Sequence, residues 1–164
     1  MAELPWQRVV DGAVVVRDAL AALGLTSFVK TTGGKGLHVV VPVARRLDWD
    51  EHEAFTRAFV ARIADAAPDG YTINPLKARR RGRIFLDYLR NGRGATFVAP
   101  YSPRARPGAP VATPVTWDEL LAGLDPLTFT IQSIPPRLAA LAADPWAGID
   151  EPQAITAAMR RSVG

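Results

Sequence analysis

The chain has 164 residues, 48% hydrophobic and 22% charged, a composition that suits one globular domain with a core of its own and rules out a disordered or fibrous chain. It holds no cysteine and only two histidines, His38 and His52, which excludes disulfides, thiol nucleophiles, iron–sulfur clusters, thiolate zinc and histidine-rich metal cages. No stretch approaches the roughly 18 uninterrupted apolar residues of a bilayer span, and residues 1–10 lack the basic-then-apolar order of a signal peptide. A cytoplasmic protein without a membrane partner is expected. The formal charge of +4 is unevenly placed: Lys77 to Arg106 carries nine Lys or Arg against the single acid Asp87, leaving that segment at +8 and the remainder at −4. The dominance of arginine favours bidentate phosphate recognition and a polyanionic partner. The plainer alternative is a solvated face that aids solubility.

In chain order, Trp6, Val9, Val10, Ala13, Val16, Leu20 and Leu23 recur at helical spacing and Gly24 follows, which predicts a helix over residues 6–23. Ser27 to Lys30 and Leu37 to Val43 read as two strands joined by the polar, glycine-rich turn Thr31 to Gly36. Asp50 with Glu53 resembles a capping box and opens a helix to about Ala67, stopped by Pro68-Asp-Gly70. After a basic loop, Arg83 to Leu89 alternates as a strand, and Asn91-Gly92 predicts a tight turn to a paired strand over Ala95 to Ala99. Pro100 to Pro114, with five prolines, reads as an extended loop. Thr116 and Glu119 form a capping box for a short helix to Leu121, and residues 136–143 predict another. Residues 151–164 are expected to be a C-terminal tail, either a loosely docked helix or frayed, after a single domain over 1–150. The order predicts an α+β fold, a largely antiparallel sheet flanked by helices.

Two segments offer chemistry. Thr32-Gly-Gly-Lys-Gly-Leu-His38 stands between strands, so its glycines leave backbone amides open to an anion while Lys35 supplies charge and His38 a donor. It is not a Walker A loop, because Val29 occupies the first glycine position and Gly36 follows the lysine. The alternatives are an ordinary turn and a satisfied core histidine. Asp87 is placed mid-strand, on one face with Phe85 and Leu89, where a carboxylate needs a partner. It is either ion-paired with a neighbouring arginine, or a metal ligand or general base beside a phosphate site. Asp48-Trp-Asp50 has the spacing of a metal pair but precedes a helix, where capping explains it better.

Phe28 to Pro42, Lys77 to Asn91 and Ala99 to Gly108 together closely resemble the polymerase domain of bacterial DNA ligase D, a family of the archaeo-eukaryotic primase superfamily that serves non-homologous end joining. The resemblance implies Thr32 and His38 near the phosphates of an incoming nucleotide, with Thr32 where the family has serine, and His38 and Asp87 as catalytic groups. It implies Asp87 as a ligand of Mn²⁺ or Mg²⁺, and Lys35, Arg80, Arg104 and Arg106 as binders of nucleotide phosphates or nucleic acid. The family's Asp-x-Asp-Pro motif, which completes the metal site, has no counterpart ahead of Pro5-Trp6, so the chain resembles the C-terminal half of a polymerase palm and is expected to be inactive alone. The implied partners are a nucleoside triphosphate, DNA ends, the missing N-terminal polymerase half, a ligase domain and Ku, at the bacterial nucleoid. A non-catalytic nucleotide or nucleic-acid-binding module and one half of a split polymerase are the alternatives. Sheet surface uncovered by the missing half also predicts a homodimer or an aggregation-prone monomer.

Overall fold

The computed structural model describes residues 4–164; the first three, on which the expectations about a leader and a first motif partly rest, lie outside the described residues. The chain divides into two compact units, one of Met1–Ala19, Val43–Phe97 and Pro152–Gly164, the other of Leu20–Pro42 and Val98–Glu151. Among the described residues no helix is long and apolar enough to cross a membrane.

In the first unit, helix α1 (Trp6–Ala22, its last turn belonging to the second unit) buries Val10 and Ala13. Gly12 is closely packed, since a Cβ there would stand 3.3 Å from the Ile84 side chain and 3.6 Å from the Tyr71 ring. Helix α2 (Trp49–Ala66) buries Phe55 and Phe59, whose rings stack 6.4 Å apart. Its cap is Asp48, not Asp50: the Asp48 carboxylate accepts from the Glu51 amide at 2.8 Å, and Glu51 accepts from the Asp48 amide. Asp50 and Glu51 then lie in the first turn, where they complement the helix dipole.

Strands β3 (Tyr71–Thr72) and β4 (Ile84–Phe85) pair in parallel, Tyr71 with Ile84 and Thr72 with Phe85. Parallel strands cannot be joined by a hairpin, and the arginine-rich segment between them is the crossover, with a 3-10 turn at Lys77–Arg80. The strand expected over residues 83–89 is therefore two residues long, and no strand forms over 95–99. Asn91-Gly92 instead closes a 3-10 turn at Leu89–Asn91, with the Asn91 side chain donating to the Tyr88 carbonyl at 2.9 Å. The turn signal is real, but its residues hold their own backbone instead of joining strands.

The second unit is built on an antiparallel sheet of order β2-β1-β5, in which β1 (Phe28–Thr31) pairs with β2 (Leu37–Val40) and with β5 (Pro114–Val115). Central β1 buries Val29, Lys30 and Thr31, and Pro114, which lacks an N–H, sits on an edge strand where that lack is tolerated. Two buried threonines are paired: the Thr113 amide donates to Thr31 Oγ1 at 3.0 Å, and the Thr113 hydroxyl to the Val111 carbonyl at 3.0 Å. Two indoles pin the β1 side, Trp117 donating to the Ser27 carbonyl and Trp146 to that of Val29, each at 2.8 Å. Helix α3 (Trp117–Leu121) starts at the expected Thr116–Glu119 capping box, and α4 spans Ile134–Ala140. In the first unit the C-terminal segment forms α5 (Ala157–Val163), where Arg160 bonds Glu51 at 2.8 Å. The fold is α+β with a principal antiparallel sheet, as the sequence predicts.

Candidate functional site

The β1–β2 turn is closed by Thr32, whose amide and hydroxyl both donate to the Gly36 carbonyl, at 3.2 and 3.0 Å. At Gly33 φ is +63°, a conformation that favours glycine, and a Cβ there would stand 2.7 Å from Arg104 Cγ and 3.2 Å from the Pro110 carbonyl. A Cβ at Gly34 would stand 3.0 Å from the Arg106 guanidinium. The glycines thus serve close approach: they let the arginine-bearing segment lie on the turn. No hydrogen bond within the described residues uses the amides of Gly33 or Gly34.

That segment is not the plain extended loop expected from its prolines. Residues 101–112 fold into an irregular antiparallel ribbon, in which Tyr101 donates to Ala112 at 2.6 Å, Ala112 to Ser102 at 3.0 Å and Arg104 to Pro110 at 2.8 Å. Arg104 Nη1 also donates to the Thr32 carbonyl at 3.1 Å, tying ribbon to turn. Tyr101 and Ala109 hold positive φ of 59° and 41°, strained for non-glycine residues, in the stretch that carries the arginines. Thr32, Lys35, Arg104 and Arg106 are therefore brought together, with Lys35 exposed on the turn. His38 is half-buried on β2, in register with Lys30.

Lys30 escapes the sequence reading. It is buried on β1, donates from Nζ to the Val98 carbonyl at 2.6 Å, and has its pKa lowered to about 8 by burial and then by the positive charge of Arg104. The available signal is a lysine inside the short run Phe28-Val-Lys-Thr31, on a strand with neighbours on both sides. Two cations held together in this way make a local field that favours an anion.

Asp87 lies in the other unit and is not mid-strand. β4 ends at Phe85, Leu86 turns inward, and Asp87 is exposed, one carboxylate oxygen accepting from the Leu89 amide at 3.0 Å and the other 3.8 Å from Arg90 Nε. The structure supplies the ion-pair partner and also a backbone one. Arg80 stacks its guanidinium 3.7 Å over the Phe85 ring and donates to the Pro75 carbonyl. Among the described residues no group of three or more His, Asp or Glu is gathered to hold a metal. Mg²⁺ is held through one or two carboxylates together with waters and substrate phosphates, so Asp87, which offers a single carboxylate, does not by itself make a cage for a resident metal.

A glycine turn backed by two arginines thus stands on the antiparallel sheet of an α+β domain. The chain belongs to the LigD primase-polymerase domain family, whose model matches residues 1–146. It is 44% identical over 163 residues to the multifunctional non-homologous end joining protein LigD of Pseudomonas aeruginosa, which covers 98% of this chain and 19% of that protein. To the bifunctional non-homologous end joining protein LigD of Bacillus subtilis it is 31% identical over 130 residues, 79% of this chain and 21% of that one. The solved polymerase domain from Mycobacterium tuberculosis ligase D in complex with DNA superimposes with a TM-score of 0.80 at 29% identity, covering 92% of this chain and 52% of that domain. The chain thus spans about a fifth of these two relatives and about half of the solved domain.

Proposed function

We propose that the chain binds the triphosphate of an incoming nucleotide at the Thr32–His38 turn, as part of nucleotidyl transfer to DNA ends in end-joining repair. The observation that carries this is the seating of Arg104 and Arg106 directly on Gly33 and Gly34. Arg104 and Arg106 neutralise phosphate oxygens, Lys35 adds an exposed charge, and His38 and Thr32 offer further polar groups at the ends of the turn. Backbone amides of the glycines complete the cradle. In the other unit, Arg80 and its basic neighbours in the crossover meet the nucleic-acid backbone. Its likeness to relatives named for non-homologous end joining, and to a polymerase domain solved with DNA, supports this reading. Ku, a ligase domain and the other half of a polymerase palm are the partners it implies.

No catalytic step is assigned to a metal. Asp87 is one carboxylate, and primer extension asks for more than the described residues gather. Residues 1–164 alone are proposed to bind without extending a primer, and the N-terminal half of a family palm, supplied fused or in trans, to restore extension that Asp87→Asn abolishes. Calorimetric titration with ATP tests the binding, and a primer-extension assay tests the rest. No measurable ATP binding, or extension by the 164-residue chain alone, would sink the respective claim.

A further inference from the structure

A fully buried lysine is expensive unless its ammonium is held by acceptors or by an opposite charge. Lys30, 0% exposed, has one acceptor, the Val98 carbonyl, and the charged group acting on it is another cation, Arg104. Packing does not require an amine here, since a methionine would fill similar space. Among the described residues, the charged group that acts on it is Arg104 on the ribbon, the titratable group in register with it is His38 on β2, and β5 sets Pro114 opposite it. None of these is an acid.

The position is also specific. Val98 stands just ahead of the ribbon that carries Arg104 and Arg106, so Lys30 fastens that end of the segment to β1. Two residues further along the chain, Thr32 takes the bond from Arg104. The ribbon is therefore tied to β1 and its turn by two cationic side chains that repel each other. An anion in the turn relieves that repulsion.

We propose that Lys30 is a positioning residue of the phosphate site, fastening the arginine ribbon to β1 and drawing a proton onto its amine when a polyphosphate binds the glycine turn. Lys30 is mostly ammonium at neutral pH, and the fraction that is neutral at higher pH takes its proton from the buffer; no bond to the phosphate forms. This rests on the phosphate reading above, and adds to it a charge that is stored beneath the turn and completed by the ligand.

The lysines of this chain are Lys30, Lys35 and Lys77, so their side chains are resolvable by NMR with ¹³C-labelled lysine, and Lys30→Arg assigns the signal. Titrated from pH 6 to 11 without ligand, Lys30 should pass its midpoint at about 8, well below the ordinary lysine value of 10.5. With saturating ATP and no metal, its midpoint should rise by about one unit or more. The terminal phosphate of ATP titrates near about pH 6, below this window. ATP affinity should fall up to about tenfold between pH 7 and 10 in a way that Lys30→Met removes, that figure being one unit of pKa expressed as binding. Should Lys30→Met fail to fold, Lys30→Arg, charged throughout, must bind ATP without this loss. ATP binding with the Lys30 midpoint unmoved overturns the role of Lys30 and leaves the phosphate reading standing. Absence of ATP binding even at pH 7 overturns both.

Discussion

The glycine turn of the second unit and the arginine-rich crossover of the first are both basic, yet they hold their cations differently. At the turn, Arg104 is fixed by a bond to Thr32, 72 residues away in sequence, and both arginines press on glycines. In the crossover, Arg80 bonds Pro75, and Arg83 bonds Arg79 and Pro68, partners within 15 residues in sequence, and Arg79 and Arg81 are exposed. Cations pre-organised by distant partners lose little freedom when a ligand arrives, whereas locally held ones act as screened surface charge. A specific phosphate site is thus expected at the turn, and salt-sensitive, sequence-blind binding of nucleic acid at the crossover.

The largest contrast should come from two alanines. Gly33 and Gly82 share a positive φ, 63° and 70°, but a Cβ at Gly33 collides with Arg104 and with backbone, while one at Gly82 meets nothing within 4 Å. Gly33→Ala should therefore lose about 2–4 kcal/mol of stability along with ATP binding, combining backbone strain with overpacking. Gly82→Ala should lose about 1–2 kcal/mol and leave ATP binding intact. Thermal melts and calorimetry read both; equal losses would erase the distinction between the regions.

Next in size, Lys35→Ala should weaken ATP binding by about 1–3 kcal/mol, the loss of a charge-assisted bond, with the melting temperature nearly unchanged. Arg79→Ala with Arg81→Ala should leave ATP affinity alone but flatten the salt slope of DNA binding by roughly 0.7–0.9 for each phosphate that is no longer neutralised. If the double variant loses ATP and keeps its slope, the two regions have been assigned the wrong way round.

Glu119 is a control on the sheet that supports the turn. Burial pushes its carboxyl up, but hydrogen bonds from Arg137 and the Thr116 amide and hydroxyl and the Arg137 charge outweigh this and hold it below the usual range. Its contribution to stability is complete above the ordinary carboxylate range and is lost as pH falls through the depressed folded value. Glu119→Ala should cost about 1–2 kcal/mol at neutral pH through the broken capping box and ion pair, and should cost less in acid. Lys30 gives a slope of the same sign at higher pH. Its folded value of about 8 lies below the ordinary 10.5, so the unfolded chain binds more protons between them and stability rises with pH across that window. Lys30→Met should flatten this rise in denaturant melts.

Much of this is legible in the sequence. The two long helices, the β1–β2 hairpin and the Thr116 cap follow from apolar period, glycine placement and capping chemistry, which are local signals. The parallel β3–β4 pair is hidden because Tyr71-Thr72 is two residues long between Gly70 and an Asn-Pro break, and its partner lies across the basic crossover. Asp87 is misplaced for the same reason, since alternation around it looks strand-like although the backbone leaves the sheet after Phe85. The ribbon and Lys30 depend on residues about 70 positions apart, through the Lys30 bond to Val98 and the Arg104 bond to Thr32, which no window on the sequence reveals.

The difference between the two basic regions is tested most directly by amide NMR of the ¹⁵N-labelled chain titrated with ATP at low and high salt. A built phosphate site predicts saturable shifts at Gly33, Gly34 and Lys35 that persist at high salt, with weak, non-saturating shifts over residues 77–83 that salt removes. Shifts that are largest over residues 77–83, with the turn silent or equally salt-sensitive, would contradict the assignment of the glycine turn as the site.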